Sequence, residues 1–260
     1  MAFQWIDLDG LSNMRDLVGT PLPDGRVIAA HRLLRSDNLN FLTDADIAVL
    51  VDEVGLTDVC DLRTNFERAR IGNSPLEEDP RVDVHPGSLY PEDDPSADIP
   101  PWKVFMDAIE PTSRTEAMAR HYLNYLSWRP DAILAHLRTL AAAPGATVVH
   151  CAAGKDRTGT LVGLVLAAVG VPRADIVADY AASGQRLAGV IAQLGAAADA
   201  GAATQGAYDN KDQTTPPQIM DRFLDLLDDQ FGGARGYLTA HGWTDADQRA
   251  LLDHLAPVAG

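Results

Sequence analysis

Cysteine is nearly absent from this chain: 260 residues carry two, Cys60 and Cys151. Two thiols that far apart build neither a disulfide framework nor a metal-ligand spacing. The seven histidines are scattered and form no HxH or HxxxH pair. A reduced, cytoplasmic setting is the expectation, export by a route without a cleaved leader staying open, and neither metal nor other cofactor is expected. Basic charge is scarce as well. Lys and Arg number 21 against 37 Asp and Glu, a formal net charge of −16. That balance argues against nucleic acid as a partner, which needs a basic face, and against general attraction to anionic membranes. An anionic substrate would have to be captured by a local group of cations. Long apolar runs are missing too. The most apolar stretch, "GTLVGLVLAAVGV" at 159–171, falls short of the roughly 20 residues of a membrane span and suits a core helix. The start, "MAFQWIDLDG", has no basic segment followed by an apolar one, so no cleaved secretory leader is expected.

What is present is a globular composition, 46% hydrophobic and 22% charged, long enough for one sizeable core. Strand and helix patterns alternate. "LTDVCDLR" (56–63) and "GATVVH" (145–150) read as buried strands ending in polar residues, and "RVDVHPG" (81–87) as a further strand. "LTDADIAVLVDEVG" has helical spacing from Thr43 or Asp44 to a stop at Gly55. Helices are expected near 113–127, 131–142 and 157–170, with Pro172 opening another. "QIMDRFLDLLDDQFGG" and a final helix capped by Thr244 follow. "PLPDGRVIAAHRLLRS" reads as a hairpin about Asp24-Gly25, "LSNMRDLVG" as loop, and 89–102 as an acidic, Pro-rich surface loop. The Ala/Gly-rich segment within 184–215 is either a mobile helical lid or an ordinary surface helix and loop. Alternation of this kind predicts an α/β fold with a mostly parallel sheet covered by helices, as a single domain over 1–260. Such sheets carry their sites at the carboxyl ends of the strands, which would bring "CDLR" and "HCAAGKDR" to one crevice.

"HCAAGKDRTG", 150–159, places a cysteine just after a strand and just before a helix. A thiol is a nucleophile only as thiolate, a state favoured by a helix N-terminus and nearby cations. Backbone amides of a tight loop form an anion nest, here from Ala152, Ala153, Gly154 and Lys155, with Gly154 free to take positive φ. Arg157 can fold back and grip two oxygens with its planar fork. Thr158 offers a hydroxyl to the sulfur, and His150 can steady the loop by donating to a backbone carbonyl. Together they suit a tetrahedral oxyanion facing sulfur, hence hydrolysis of a phosphate monoester through a phosphocysteine, with inorganic phosphate as product. A buried Cys before an ordinary helix would explain none of Gly154, Arg157 and Thr158.

C-x5-R-[ST] after His is the protein tyrosine phosphatase signature, and this version resembles the bacterial tyrosine/phosphoinositide phosphatase family, in its mycobacterial branch. "NMRDLVG", "LLRSDNL", "DLRTNFER" and "FGGARGYLTAHGW" are similar to further elements of that family, with Val18 standing where a Gly is usual. The resemblance implies a tyrosine-phosphatase-like sheet with its phosphate loop between strand and helix. It also implies no metal, and substrates that are phosphorylated proteins or phosphoinositides; Lys155 would suit a multiply phosphorylated head group. For the general acid the resemblance favours Asp156 within the loop, with Asp61 the runner-up. Asp61 reads more readily as a support that pairs with Arg157 or Arg63. Asp131 in "SWRPD" imitates a mobile-loop acid but sits where a helix begins. Rival readings are a catalytically silent phospho-binding module, and an arsenate reductase or sulfurtransferase. The intact Cys-Arg-Asp set opposes the first, the shortage of cysteines the second.

Overall fold

The structure is a computed structural model that describes residues 3–91, 113–199 and 214–258. In chain order it contains β1 (Gln4–Trp5), β2 (Arg15–Asp16), β3 (Leu33–Ser36) and α1 (Asp44–Ala48), which runs on as a wider π-type turn, Val49–Glu53. Then come β4 (Leu56–Asp61), α2 (Asn65–Ile71), β5 (Asp83–Pro86), α3 (Arg114–Trp128), α4 (Pro130–Ala142) and β6 (Ala146–His150). The chain continues with α5 (Asp156–Ala168), α6 (Arg173–Ala182), α7 (Leu187–Asp199), α8 (Pro217–Phe231), α9 (Gly233–Ala240) and α10 (Asp245–Leu255). Helix ends follow local chemistry: Thr43, Thr64 and Thr244 each form a capping box with the carboxylate three residues on. Gly232, left-handed at φ 70°, stops α8.

The strands lie in the order β1-β2-β3-β6-β4-β5, parallel from β3 to β5 and antiparallel at the β1–β2 edge. Neighbouring strand residues alternate between two cores. Leu33, Cys60 and Val149 face the larger one, under α3, α4, α5 and α8; Leu34, Val59 and Val148 face the smaller one, with Leu50 and Val51. This is the mostly parallel, helix-covered sheet expected. Because β6 is central, Ser36 and Asp61 both stand level with His150. Three carboxyl strand ends therefore converge on one point.

Several expectations change. "NMRDLVG", read as loop, contains β2, whose Arg15 pairs with Arg35 of β3. The Asp24-Gly25 turn forms, with Gly25 at φ 85° and Ile28 donating to Thr20, but "LLRS" leaves that hairpin and joins the main sheet. Of the segment 184–215, α7 is a helix, while 200–213 lie outside the described residues, as do 92–102 of the acidic loop. Among the described residues no helix is long and apolar enough to cross a membrane.

His121 of α3 is sealed in an aromatic cluster with Tyr90, Tyr125 and Trp128. Its Nε2 lies 3.0 Å from the Tyr90 hydroxyl. Burial pulls its pKa down to about 4, against the opposing pull of Asp156. Between about pH 6.5 and 4 the unfolded chain takes a proton that the folded state refuses, so this contribution to stability is complete above the window and lost within it. The drop corresponds to about 3 kcal/mol. Denaturant unfolding at pH 7 and 4.5 should show His121→Gln losing less stability than wild type by about 2 kcal/mol. Equal losses would mean that His121 titrates as an exposed histidine does.

Candidate active site

β6 delivers Cys151 to the sheet's carboxyl edge, 2% exposed, and the chain turns through 152–155 into α5. Gly154 makes that turn possible in two ways. Its φ is 65°, a region other residues avoid, and a Cβ there would stand 2.4 Å from the Ser36 carbonyl oxygen. Asn13 Nδ2 donates to the carbonyls of Ala153 and Gly154 at 3.2 and 3.3 Å, and Arg35 Nη2 donates to Gly154 at 2.8 Å. In a planar trans peptide the next N–H points opposite to the carbonyl. Drawing these carbonyls outward therefore turns the amides of Gly154 and Lys155 to the loop's inner side.

The donors are themselves clamped. Arg15 donates to Asn13 Oδ1 at 2.8 Å and to Asp179 Oδ1 at 2.8 Å, while Arg35 bonds the other Asp179 oxygen. Both arginines are fully buried. Burial lowers Arg15 to about 10, which leaves it charged at neutral pH. Burial pushes Asp179 up, but the two arginines outweigh it and hold the carboxyl below the usual range. The network ties β2, β3 and α6 to the loop, and explains why residues quoted above only for their resemblance stand where they do.

Arg157 projects from the first turn of α5 to Glu67 of α2. Nη1 and Nη2 reach the two Glu67 oxygens at 2.5 and 2.8 Å, and Nη1 also donates to Leu62 O at 3.2 Å. A guanidinium has five N–H groups. Among the described residues three are used, and the side formed by Nε and Nη2 makes no hydrogen bond. Glu67 Oε2 also accepts from the Thr64 amide at 2.7 Å. Burial pushes Glu67 up, and Arg157's charge and fork reverse this and keep it ionised. Asp61 does not reach Arg157. It accepts from Arg63 Nη2 at 2.7 Å and from Arg68 Nη1 at 3.0 Å. Burial is again outweighed, by His150 and Arg63, and Asp61 is held well below the carboxylate range. So of the two partners considered for Asp61, the structure selects Arg63, and Arg157's partner is Glu67. The T-x-x-E capping pattern in "TNFE" was the available signal.

His150 Nδ1 lies 3.3 Å from Cys151 O, while Nε2 makes no hydrogen bond among the described residues and stands 3.4 Å from Asp61. Burial lowers it to about 4, so it is neutral at pH 7. Thr158 Oγ1 is buried without a hydrogen bond among the described residues. Asp156 is the first residue of α5, its side chain 28% exposed, with Oδ2 3.5 Å from Lys155 Nζ. Asp131 sits in the first turn of α4, paired with Arg129 at 2.8 Å and 67% exposed. Cys60 faces the larger core, and burial raises its thiol pKa.

An α/β sheet whose central strand runs into a cysteine, a tight glycine turn and a helix-borne arginine is consistent with a tyrosine-phosphatase-like fold. The profile of the tyrosine phosphatase family matches residues 6–257. A tyrosine-protein phosphatase of Nostoc commune is 31% identical over 237 residues, covering 89% of this chain and 76% of that one. The triple specificity protein phosphatase PtpB of Mycobacterium tuberculosis is 34% identical over 192 residues, 67% of each chain. The chain belongs to the tyrosine phosphatase family and is a phosphate-monoester hydrolase of that kind.

Proposed function

We propose that the chain hydrolyses phosphate monoesters through a phosphocysteine. The observation that carries this reading is the hold of Asn13 and Arg35 on the loop carbonyls beside Cys151, which in a trans peptide leaves the following amides on the opposite side. Phosphate oxygens lie on those amides and on the Nε/Nη2 side of Arg157. The Cys151 thiolate attacks phosphorus, the P–O ester bond breaks, and the leaving oxygen takes a proton from Asp156. Asp156 then removes a proton from water. The water oxygen attacks phosphorus, the S–P bond breaks, and inorganic phosphate and thiolate are released. Thr158 steadies the sulfur as it departs. Asp61 is the poorer acid, because Arg63 and Arg68 keep it ionised.

Phosphotyrosine is the first substrate class, with phosphoserine, phosphothreonine and phosphoinositides beside it. Lys155, a second cation at the loop, suits a head group bearing more than one phosphate, and the Mycobacterium relative carries triple specificity in its name. Turnover compared on phosphopeptides and on inositol head-group phosphates tests the breadth. Lys155→Ala should lose more on the head groups, and equal loss on both would remove Lys155 from that role.

The acid is tested by Asp156→Asn. Turnover of phosphotyrosine-like esters with poor leaving groups should fall by about 10²–10⁴-fold. Activated aryl phosphates, whose leaving groups depart unprotonated, should lose much less. The falling, high-pH side of the rate profile should flatten, since that side reports an acid that must be protonated. The same leaving-group dependence in Asp131→Asn, and not in Asp156→Asn, would move the acid to the start of α4. A protein that binds phosphate but turns over neither ester would be the silent binding module.

A further inference from the structure

Asp156 is not free to turn. The Tyr122 hydroxyl bonds its Oδ1, and lies 2.9 Å from the Tyr180 hydroxyl. Tyr122 comes from α3 and Tyr180 from α6, and both are buried. Tyr122 gives its single hydrogen to Asp156 Oδ1, so at the second contact it can only accept, from Tyr180. The direction of the chain is thereby set: Tyr180 to Tyr122 to Oδ1. Burial raises both phenols well above their ordinary values, with Asp156 adding to the rise, so neither gives up its proton at working pH. Tyr180 is held in turn. It follows Asp179, the carboxylate clamped by Arg15 and Arg35, and its ring lies against Gly159, where a Cβ would stand 2.9 Å from Cδ2. The glycine that closes "GKDRTG" therefore leaves room for this ring.

We propose that Tyr122 is a positioning residue for proton transfer by Asp156, holding Oδ1 as an acceptor so that the mobile proton resides on Oδ2. Oδ2 is the oxygen on the Lys155 side of the carboxyl. With Oδ1 committed to the phenol, the acid presents its proton in one place in the first step. In the second step it receives the proton from water at the same atom. An Asp156 released from Tyr122 would spread its proton over two oxygens and several rotamers, and orientation of that kind is worth a large factor in rate. The proposal rests on the reading of Asp156 as the acid.

Its test is Tyr122→Phe, which keeps the ring and removes one oxygen. On an aryl phosphate with a poor leaving group kcat should fall about 10-fold or more, with KM changed by less than about 3-fold. On an activated aryl phosphate kcat should hold within about 3-fold, because little protonation is needed. Introduced into Asp156→Asn, the same change should add nothing to the loss. Tyr180→Phe, one link further back, should give the same selectivity with a smaller loss, and serves if Tyr122→Phe folds poorly. Equal loss on both substrates, no loss at all, or a loss that persists in the Asp156→Asn background would overturn the proposal. If Asp156→Asn itself shows no leaving-group dependence, the underlying reading fails and this one fails with it. The single variants thus tell the two failures apart.

Discussion

Cys151→Ser is expected to lose about 10⁴–10⁶-fold in turnover of aryl phosphates while still binding inorganic phosphate. The reason lies in what surrounds the side chain. In the proposed mechanism sulfur attacks as a thiolate and needs no base of its own at that step. A serine hydroxyl ionises far less readily and needs a neighbouring base. Neither imidazole nitrogen of His150 is placed to be that base: Nδ1 is at the Cys151 carbonyl and Nε2 is turned to Asp61. The proposed oxyanion site, in contrast, draws on backbone amides and on Arg157, which the substitution leaves in place. Calorimetric titration with phosphate or vanadate should therefore give affinity within a few-fold of wild type. Substantial turnover by the serine variant would end the phosphocysteine mechanism.

How far the sequence discloses this site depends on the kind of force involved. "GATVVH" and "LTDVCDLR" are visible because a parallel strand buried on both faces is rich in apolar and β-branched residues, and each ends beside the candidate site. The loop is visible because a nucleophile, a glycine turn and a cation need fixed spacing. β2 is not visible. Its two residues are Arg15 and Asp16, which look like loop; Arg15 is held by a buried charge network with Asp179, 164 residues away along the chain, and Asp16 accepts from the amides of Val18 and His31. Hydrophobic periodicity contains nothing about such a pairing. Glu67 is half visible: its capping pattern marks a helix start, but the same carboxylate's grip on Arg157 depends on α2 and α5 meeting at adjacent strand ends. Tyr122 is invisible for the same reason, since a tyrosine on the apolar face of α3 reads as core until α6 brings Tyr180 beside it. The π-type turn after α1 and the departure of "LLRS" from its hairpin are likewise tertiary outcomes, set by packing against the sheet.

Arg157→Lys is expected to lose about 10³–10⁵-fold, the scale on which an arginine that meets phosphoryl charge contributes. A lysine retains the charge but lacks the second edge. In the proposed mechanism one edge of the guanidinium is held by Glu67 and the adjacent edge meets phosphate, so that a single group both anchors and binds. An ammonium reaching Glu67 would have no planar face to offer the substrate, and one reaching the substrate would abandon Glu67. Glu67→Gln separates the two tasks. It keeps an acceptor for the Thr64 amide but removes the charge, leaving Arg157 buried beside a neutral amide. Breaking a buried ion pair from one side costs about 3–5 kcal/mol, so the midpoint of denaturant unfolding should fall clearly. Turnover should fall less than for Arg157→Lys, because the fork survives with looser aim. If Glu67 acts only through Arg157, kcat/KM of the double variant should match that of Arg157→Lys alone. Additive losses would assign Glu67 a separate contact with the reaction. Arg157→Lys within a few-fold of wild type would mean that the free edge of the guanidinium does not face the phosphate.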